Sequence, residues 1–198
     1  MKLGDLLKSV PIEECCADLE MEIGGVSYDS RKSVAGDLFV AMTGYAADGH
    51  DFIPAAAEKG AVCVLCERAP QADVPWVRVR SARRALAMLG ANWFGHPAEE
   101  MVMIGVTGTN GKTTTTYLLK NILEEAADAT VGLIGTNQNM IGSRVIETER
   151  TTPESFELQK LFRAMRNSGC THVVMEVSSH ALYLDRVYGI PFEVGIFT

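Results

Sequence analysis

Two features of the chain have the residue types and spacing to do chemistry. The first is Ile104-Gly105-Val106-Thr107-Gly108-Thr109-Asn110-Gly111-Lys112-Thr113-Thr114. Glycines let a backbone curl closely around phosphate oxygens. Free N–H groups at a following helix start point at the anion, and the helix dipole favours negative charge there. Lys112 is placed to reach the outer phosphates and the Thr113 hydroxyl to enter a Mg²⁺ shell. The spacing is G-x-x-G-x-x-G-K-T, and the strict phosphate-loop pattern fails because Val106 stands where its first glycine belongs. The competing account is a tight structural turn with a solvated lysine, which requires three glycines, Lys and Thr to coincide by chance. The second feature is Glu176, at the end of the apolar run HVVME. A carboxylate at the C-terminal end of a parallel strand lies where such sheets bind ligands; the alternative is a solvated strand-end acid. Cys63 and Cys66 form a C-x-x-C inside AVCVLCE, which reads as a strand. A three-residue offset there puts the thiols on opposite faces, so structural cysteines are expected rather than a metal or redox pair.

The elements that must position these residues follow two patterns. In residues 1–98, GGVSYDSR, DLFVAM, AVCVLCE and WVRVR read as strands. HDFIPAAAEKG reads as a helix ended by Gly60, and SARRALAMLGANWFG as a second helix capped by Ser81, with Leu86, Leu89 and Trp93 at helical spacing. From Glu99 onward the pattern is β-α-β: the apolar strand MVMIGV, the glycine turn, a helix from Lys112 and the apolar run TVGLIGT. A polar loop through Thr152, a helix ESFELQKLFRAMRNSG and a strand HVVMEVS complete it. VGIFT is expected to start another buried strand. The alternation predicts an α/β fold with a mostly parallel sheet in residues 99–198. A chain ending inside an apolar strand predicts that this second domain is truncated.

Composition excludes several classes. The 198 residues are 47% hydrophobic and 22% charged, an ordinary globular balance, with a net charge of −7 that offers no broad face to nucleic acid. No apolar run reaches the ~18 residues of a membrane span, and the N-terminus lacks a signal-peptide pattern. Five irregularly spaced cysteines do not make a disulfide framework. A cytoplasmic protein with no nucleic-acid or membrane partner is expected.

TGTNGKTT resembles the ATP-binding signature of the Mur ligase family, whose relatives include the folylpolyglutamate and cyanophycin synthetases. Tyr28-Asp29-Ser30-Arg31, Gly36-Asp37-Leu38-Phe39-Val40-Ala41 and Ala47-Asp48-Gly49-His50 resemble the uridine-nucleotide-binding domain of two of its branches. Thr151-Thr152-Pro153 and Glu176-Val177-Ser178-Ser179-His180-Ala181-Leu182 are similar to the branch that adds the third peptide residue. The resemblance implies a small N-terminal uridine-nucleotide-binding α/β domain over 1–98, followed by the first half of a P-loop-type central ATP-binding domain over 99–198.

It also implies an activity. ATP would phosphorylate the D-glutamyl γ-carboxylate of UDP-N-acetylmuramoyl-L-alanyl-D-glutamate, and the amine of diaminopimelate or L-lysine would displace the phosphate. Phosphorylation supplies the leaving group a carboxylate lacks, so the protein's work is positioning and charge neutralisation. The cofactors implied are ATP and Mg²⁺. Gly108, Thr109, Asn110, Gly111, Lys112, Thr113 and Thr114 fall where the family holds ATP. Lys112 and Glu176 take catalytic positions, with Thr113 and Glu176 toward the metal. Tyr28, Ser30, Tyr45, Ala46 and Ala47 fall at the uridine nucleotide, and Arg150, Thr151, Thr152, Ser178 and Arg186 at the muramoyl-peptide part. His180 either orients a neighbour or is structural. Tyr45 and Leu184 depart from members with polar residues there, and Arg150 from members with Asn. The family continues beyond Thr198 with further metal ligands and a closing domain, so the resemblance implies a fragment inactive alone. A non-catalytic nucleotide-binding module and a folylpolyglutamate-type synthetase are the alternatives; the DSR segment is foreign to the latter.

Overall fold

The structure, a computed structural model, describes residues 1–44, 47–146 and 151–198. The expected contacts of Tyr45, Ala46 and Arg150 lie outside the described residues. The chain divides into two compact units, Met1–Asn92 and Trp93–Thr198.

The first unit contains α1 (Leu3–Leu6), β1 (Ile12–Cys16), β2 (Gly25–Ser27), β3 (Asp37–Val40), α2 (Ile53–Glu58), β4 (Cys63–Cys66) and β5 (Trp76–Val79). Helix α3 (Ala82–Phe94) runs across the division. The sheet order is β1-β5-β4-β3-β2. Strands β2 to β5 are parallel and β1 is antiparallel to β5. The central strands β3 and β4 are buried throughout, as continuous apolar runs require. Ile53 and Ala56 of α2 close one face over Phe39, Val64 and Cys66. The expected single helix HDFIPAAAEKG is two pieces, a 3₁₀ turn (Gly49–Phe52) and α2. Gly60 (φ 92°) ends α2, a left-handed position that suits glycine. Ser81 caps α3 by accepting from the Arg84 N–H. Cys63 and Cys66 are free and buried, and burial pushes their thiols up to about 12 and about 11. Strand β1 has no counterpart in the sequence reading: its five residues are all exposed, so no apolar pattern marks it.

The second unit contains β6 (Val102–Thr107), α4 (Lys112–Ala127), β7 (Val131–Ile134), β8 (Asn139–Ile141), β9 (Arg144–Ile146), α5 (Ser155–Asn167), β10 (His172–Glu176), α6 (Ser179–Tyr183) and β11 (Phe192–Phe197). The sheet order is β11-β6-β10-β7-β8-β9. The first four of these are parallel, so the sheet is mostly parallel as expected. Its two faces are separate cores. Met103, Met175, Leu158, Phe162 and Met165 pack on the α5 side. Ile104, Val106, Val131 and Val174 pack on the other, with Leu119 and Leu123 of α4. Alternate residues of β6 and β10 thus face opposite helices.

Two expectations are corrected here. The segment read as a polar loop through Thr152 contains the antiparallel hairpin β8–β9, with Gly142-Ser143 as its two-residue turn and Gly142 at φ 55°. Strand β11 is not buried: among the described residues it pairs only with β6, and Phe197 is 84% exposed. An apolar run identifies a strand but not how many neighbours it has. Among the described residues, no helix is long and apolar enough to cross a membrane.

Candidate functional site

The glycine turn joins β6 to α4. Gly108 (φ 134°) and Gly111 (φ 82°) both have left-handed backbone. Gly111 is the N-cap of α4, and no side chain among the described residues caps the helix, which leaves its leading N–H groups to a ligand or solvent. A Cβ on Gly108 would lie 1.9 Å from the Thr198 carbonyl oxygen, so only glycine fits. Lys112 folds back over the turn and donates from Nζ to the carbonyls of Gly108 (2.8 Å) and Thr109 (3.4 Å). Its ammonium therefore lies on the inner side of the turn instead of extending into solvent. Thr109, Asn110 and Thr114 are exposed.

Glu176 ends β10 beside this turn and is 1% exposed, which removes the solvated-acid alternative. Burying a carboxylate is costly unless its lone pairs are occupied, and here they are. Oε1 accepts from the Thr113 hydroxyl (2.9 Å) and the Thr136 N–H (3.0 Å), and Oε2 from the Thr136 hydroxyl (3.0 Å). Gly135 makes room for it: a Cβ there would be 2.6 Å from Oε1. A buried carboxylate flanked by hydroxyls is a hard oxygen donor set of the kind Mg²⁺ takes. Among the described residues no three His, Cys, Asp or Glu side chains gather at one point. A cation at Glu176 would therefore complete its shell with hydroxyl, phosphate or water oxygens.

The next layer is held from the same strand end. The Thr152 hydroxyl donates to the Glu176 carbonyl (3.0 Å) and accepts from the Ser178 N–H (3.3 Å). Thr151 Oγ1 is 3.1 Å from Thr136 Oγ1. Arg186 donates from Nη1 to the Thr152 carbonyl (3.2 Å), and its Nε lies 2.5 Å from Glu154 Oε1 in a largely buried pair. Ser178 caps α6 by accepting from the Ala181 N–H. His180 is exposed on α6, and Leu184 is 9% exposed. The structure thus brings Lys112, Thr113, Glu176, Thr151, Thr152, Ser178 and Arg186 together around the C-terminal ends of β6, β7 and β10.

Tyr28, Ser30 and Ala47 belong to the other unit. Tyr28 and Ser30 lie in the turn after β2, and Ala47 follows β3, so they leave the C-terminal ends of adjacent parallel strands. The turn after β2 is fixed from within. Arg31 grips Asp29 through Nε and Nη2 (2.9 and 2.8 Å), and that pairing, with the Arg31 backbone N–H, holds the Asp29 carboxyl down at about 2. Lys59 donates to the carbonyls of Ser30 (2.8 Å) and Arg31 (3.0 Å). The segment after β3 is fixed by Asp48 and His50. Asp48 accepts from the His50 N–H and pairs with His50 Nδ1 (2.6 Å) and Arg68 (2.8 Å), and these hold its carboxyl at about 2. His50 Nε2 accepts from the Glu67 N–H (2.9 Å), and Glu67 in turn accepts from the Ala82 N–H at the start of α3 (2.8 Å). The proton of His50 is therefore on Nδ1, toward Asp48.

Sequence reasoning missed Thr136, Glu154 and Lys59. Thr136 had a signal: it closes the apolar run TVGLIGT at the end of a parallel strand, where ligand-facing residues collect. Glu154 and Lys59 act through contacts distant in sequence and left no local mark.

Comparison with known proteins agrees with this geometry. The family model for the Mur ligase middle domain matches residues 106–198, and that for the Mur ligase family, catalytic domain, matches residues 22–94. The chain is 51% identical over 200 residues to UDP-N-acetylmuramoyl-L-alanyl-D-glutamate–2,6-diaminopimelate ligase 1 of Clostridium acetobutylicum, covering 100% of this chain and 41% of that protein. It is 48% identical to the corresponding ligase of Clostridium tetani, covering 100% and 42%. A solved structure of a UDP-N-acetylmuramoyl-L-alanyl-D-glutamate–2,6-diaminopimelate ligase superposes with a TM-score of 0.80 at 25% identity, over 100% of this chain and 40% of that one. The chain thus spans about two fifths of the length of the curated relatives it matches. With both family models matched in order and a glycine turn, lysine and buried glutamate assembled at the C-terminal ends of adjacent parallel strands, the chain belongs to the Mur ligase family.

Proposed function

We propose that the chain carries the substrate-nucleotide domain (1–98) and part of the P-loop-type ATP-binding domain (99–198) of an amide-bond-forming ligase. The ligase adds 2,6-diaminopimelate to UDP-N-acetylmuramoyl-L-alanyl-D-glutamate. The observation that carries this is the placement of Lys112, Thr113 and Glu176 within one hydrogen-bonded arrangement at the ends of β6 and β10. ATP supplies the phosphoryl group that turns the D-glutamyl carboxylate into an acyl donor. The chain's residues do the rest by position and charge. The N–H groups of Gly108 to Thr114 and the ammonium of Lys112 neutralise charge on the moving phosphoryl group. Thr113 and Glu176 would hold Mg²⁺, which would supply charge neutralisation beside the phosphates. Thr151, Thr152, Ser178, Arg186 and Arg150 receive the acyl end of the substrate. Tyr28, Ser30, Tyr45, Ala46 and Ala47 receive its uridine end.

The test is amide formation by the intact gene product, supplied with ATP, Mg²⁺, the nucleotide dipeptide and either diaminopimelate or L-lysine. Dipeptide-dependent ADP release with a tripeptide product is expected with diaminopimelate. Nucleotide binding without any turnover would favour a non-catalytic module instead. Turnover with L-lysine alone would keep the ligase and change its amine.

A further inference from the structure

Two of the donors on the buried Glu176 carboxylate belong to one residue. The Thr136 N–H reaches Oε1 and the Thr136 hydroxyl reaches Oε2, both at 3.0 Å. The Thr113 hydroxyl, at 2.9 Å from Oε1, comes from the nucleotide turn. The Thr136 hydroxyl also has Thr151 Oγ1 within reach at 3.1 Å. It has a single proton to give. The charge on Glu176 gives the carboxylate the stronger claim, since charge-assisted hydrogen bonds are about twice as strong as neutral ones.

A carboxylate offers about four lone-pair sites, two on each oxygen. The inner two converge on a point beyond the carboxylate, and the outer two diverge. The N–H and the hydroxyl of one residue lie too close together to reach diverging sites. Thr136 therefore engages the converging pair, as a guanidinium fork does. That is the pair a cation must share to be gripped by both oxygens. The clamp is itself fixed. Gly135, whose Cβ would lie 2.6 Å from Oε1, lets the strand end come this close, and the Gly135 N–H donates to Oδ1 of the buried Asn139 (3.3 Å).

We propose that Thr136 is a specificity-determining residue for the cation at Glu176: it confines the carboxylate to coordination through one oxygen and so selects Mg²⁺ over Ca²⁺. The inference rests on the ligase reading above. Mg²⁺ is small, demands a near-ideal octahedron and keeps several waters, so one carboxylate oxygen with hydroxyl, phosphate and water oxygens satisfies it. Ca²⁺ is larger, takes about six to eight oxygens, and readily fills its shell with a carboxylate gripped by both oxygens. A fixed carboxylate whose converging sites are taken does not supply that second oxygen.

The experiment displaces Mn²⁺ from the intact gene product in the presence of ADP, with Mg²⁺ in one series and Ca²⁺ in another, and reads the released ion by electron paramagnetic resonance. ADP in solution contributes the same preference to every protein, so the ratio of the two displacing affinities isolates the site. In Thr136→Val that ratio should shift toward Ca²⁺ by at least about tenfold, the lower end of the effect of removing a hydrogen-bond partner from a metal ligand. Thr136→Ser keeps both donors and should keep the wild-type ratio. A loosened fold would lower both affinities together and leave the ratio alone. An unchanged ratio in folded Thr136→Val protein overturns the proposal. So does loss of all cation binding there, which would make Thr136 a requirement of the site and not a selector. Thr136→Ala decides the matter if Thr136→Val does not fold. Glu176→Gln separates the two readings. If it leaves Mn²⁺ affinity unmoved, Glu176 holds no cation, and the metal assignment of the ligase reading falls together with the proposal. If it weakens Mn²⁺ binding while the Thr136→Val ratio stays unchanged, the selector alone is overturned.

Discussion

Gly135→Ala is a sensitive probe of the buried carboxylate. The position has no left-handed backbone requirement, so alanine adds only its methyl group. That methyl would lie 2.6 Å from Glu176 Oε1. Ordinary contact begins near 3.4 Å, so the carboxylate must retreat by most of an ångström or the strand end must shift. Either movement breaks the bonds from the Thr113 hydroxyl (2.9 Å) and the Thr136 N–H (3.0 Å) to that oxygen. Hydrogen bonds to a charged group are worth about 1.5–3 kcal/mol each. Glycine-to-alanine returns about 0.4–1 kcal/mol through the unfolded chain. The net loss is therefore about 2–5 kcal/mol, confined to the second unit. Hydrogen exchange by mass spectrometry reads this directly: peptides from β6, β7 and β10 should open more readily by that amount, while peptides from β3 and β4 should not change. Gly195→Ala is the control, since nothing lies within 4 Å of its Cβ. Unchanged protection of β7 and β10 in Gly135→Ala would refute the claim that glycine is there to admit the carboxylate.

Further outcomes follow from the same geometry. Lys112→Ala in the intact gene product should lower the rate of amide formation at least ~100-fold, the usual effect of removing one charge-stabilising group of about 3 kcal/mol, without altering the circular dichroism spectrum; retention of more than about a tenth of the rate (roughly 1.4 kcal/mol) would contradict its role. Asp29 and Asp48, both held near 2 against an ordinary 3.8, contribute stability that is present above about pH 4 and lost as pH falls toward 2. Exchange protection of residues 28–31 should fall across that window, and Asp29→Asn should remove the dependence. Thiol titration of the folded chain should find Cys15 and Cys16 fast and Cys63, Cys66 and Cys170 slow, since the first two are exposed and burial raises the others.

Much of this was legible in the sequence where chemistry and local pattern coincide. The buried strands β3, β4, β6, β7 and β10 were visible as apolar runs. The glycine turn was visible because its residue types are dictated by backbone angle and by the helix that follows. Strand β1 escaped because an edge strand built from Ile-Glu-Glu-Cys-Cys needs no buried face. The β8–β9 hairpin escaped because Gly142-Ser143 was read as loop composition rather than as a two-residue turn between short strands. The surroundings of Glu176 escaped for a different reason. Thr136 and Thr151 lie 40 and 25 residues from it, and hydroxyls carry no signature until folding places them. The ADGH segment shows the reverse: its residues stood out, yet Asp48 and His50 act by fastening the backbone after β3.

The strand order of the second unit has a consequence for synthesis. Strand β6 emerges first, but its two neighbours, β10 and β11, begin 70 and 90 residues later. At roughly 5–20 residues per second, β6 waits on the order of 4–18 seconds for the strands that flank it. Every strand partner in the first unit, by contrast, lies within its first 79 residues. The nascent chain therefore carries a finished first unit while Met103, Ile104 and Val106 remain uncovered. Thr198, just after β11, donates to the Thr107 and Asn110 carbonyls at the glycine turn, so these contacts form only once β11 has emerged. The most chemically loaded segment is thus among the last to take its final shape, and the interval before it does is when the polypeptide is most open to chaperones and to misassociation.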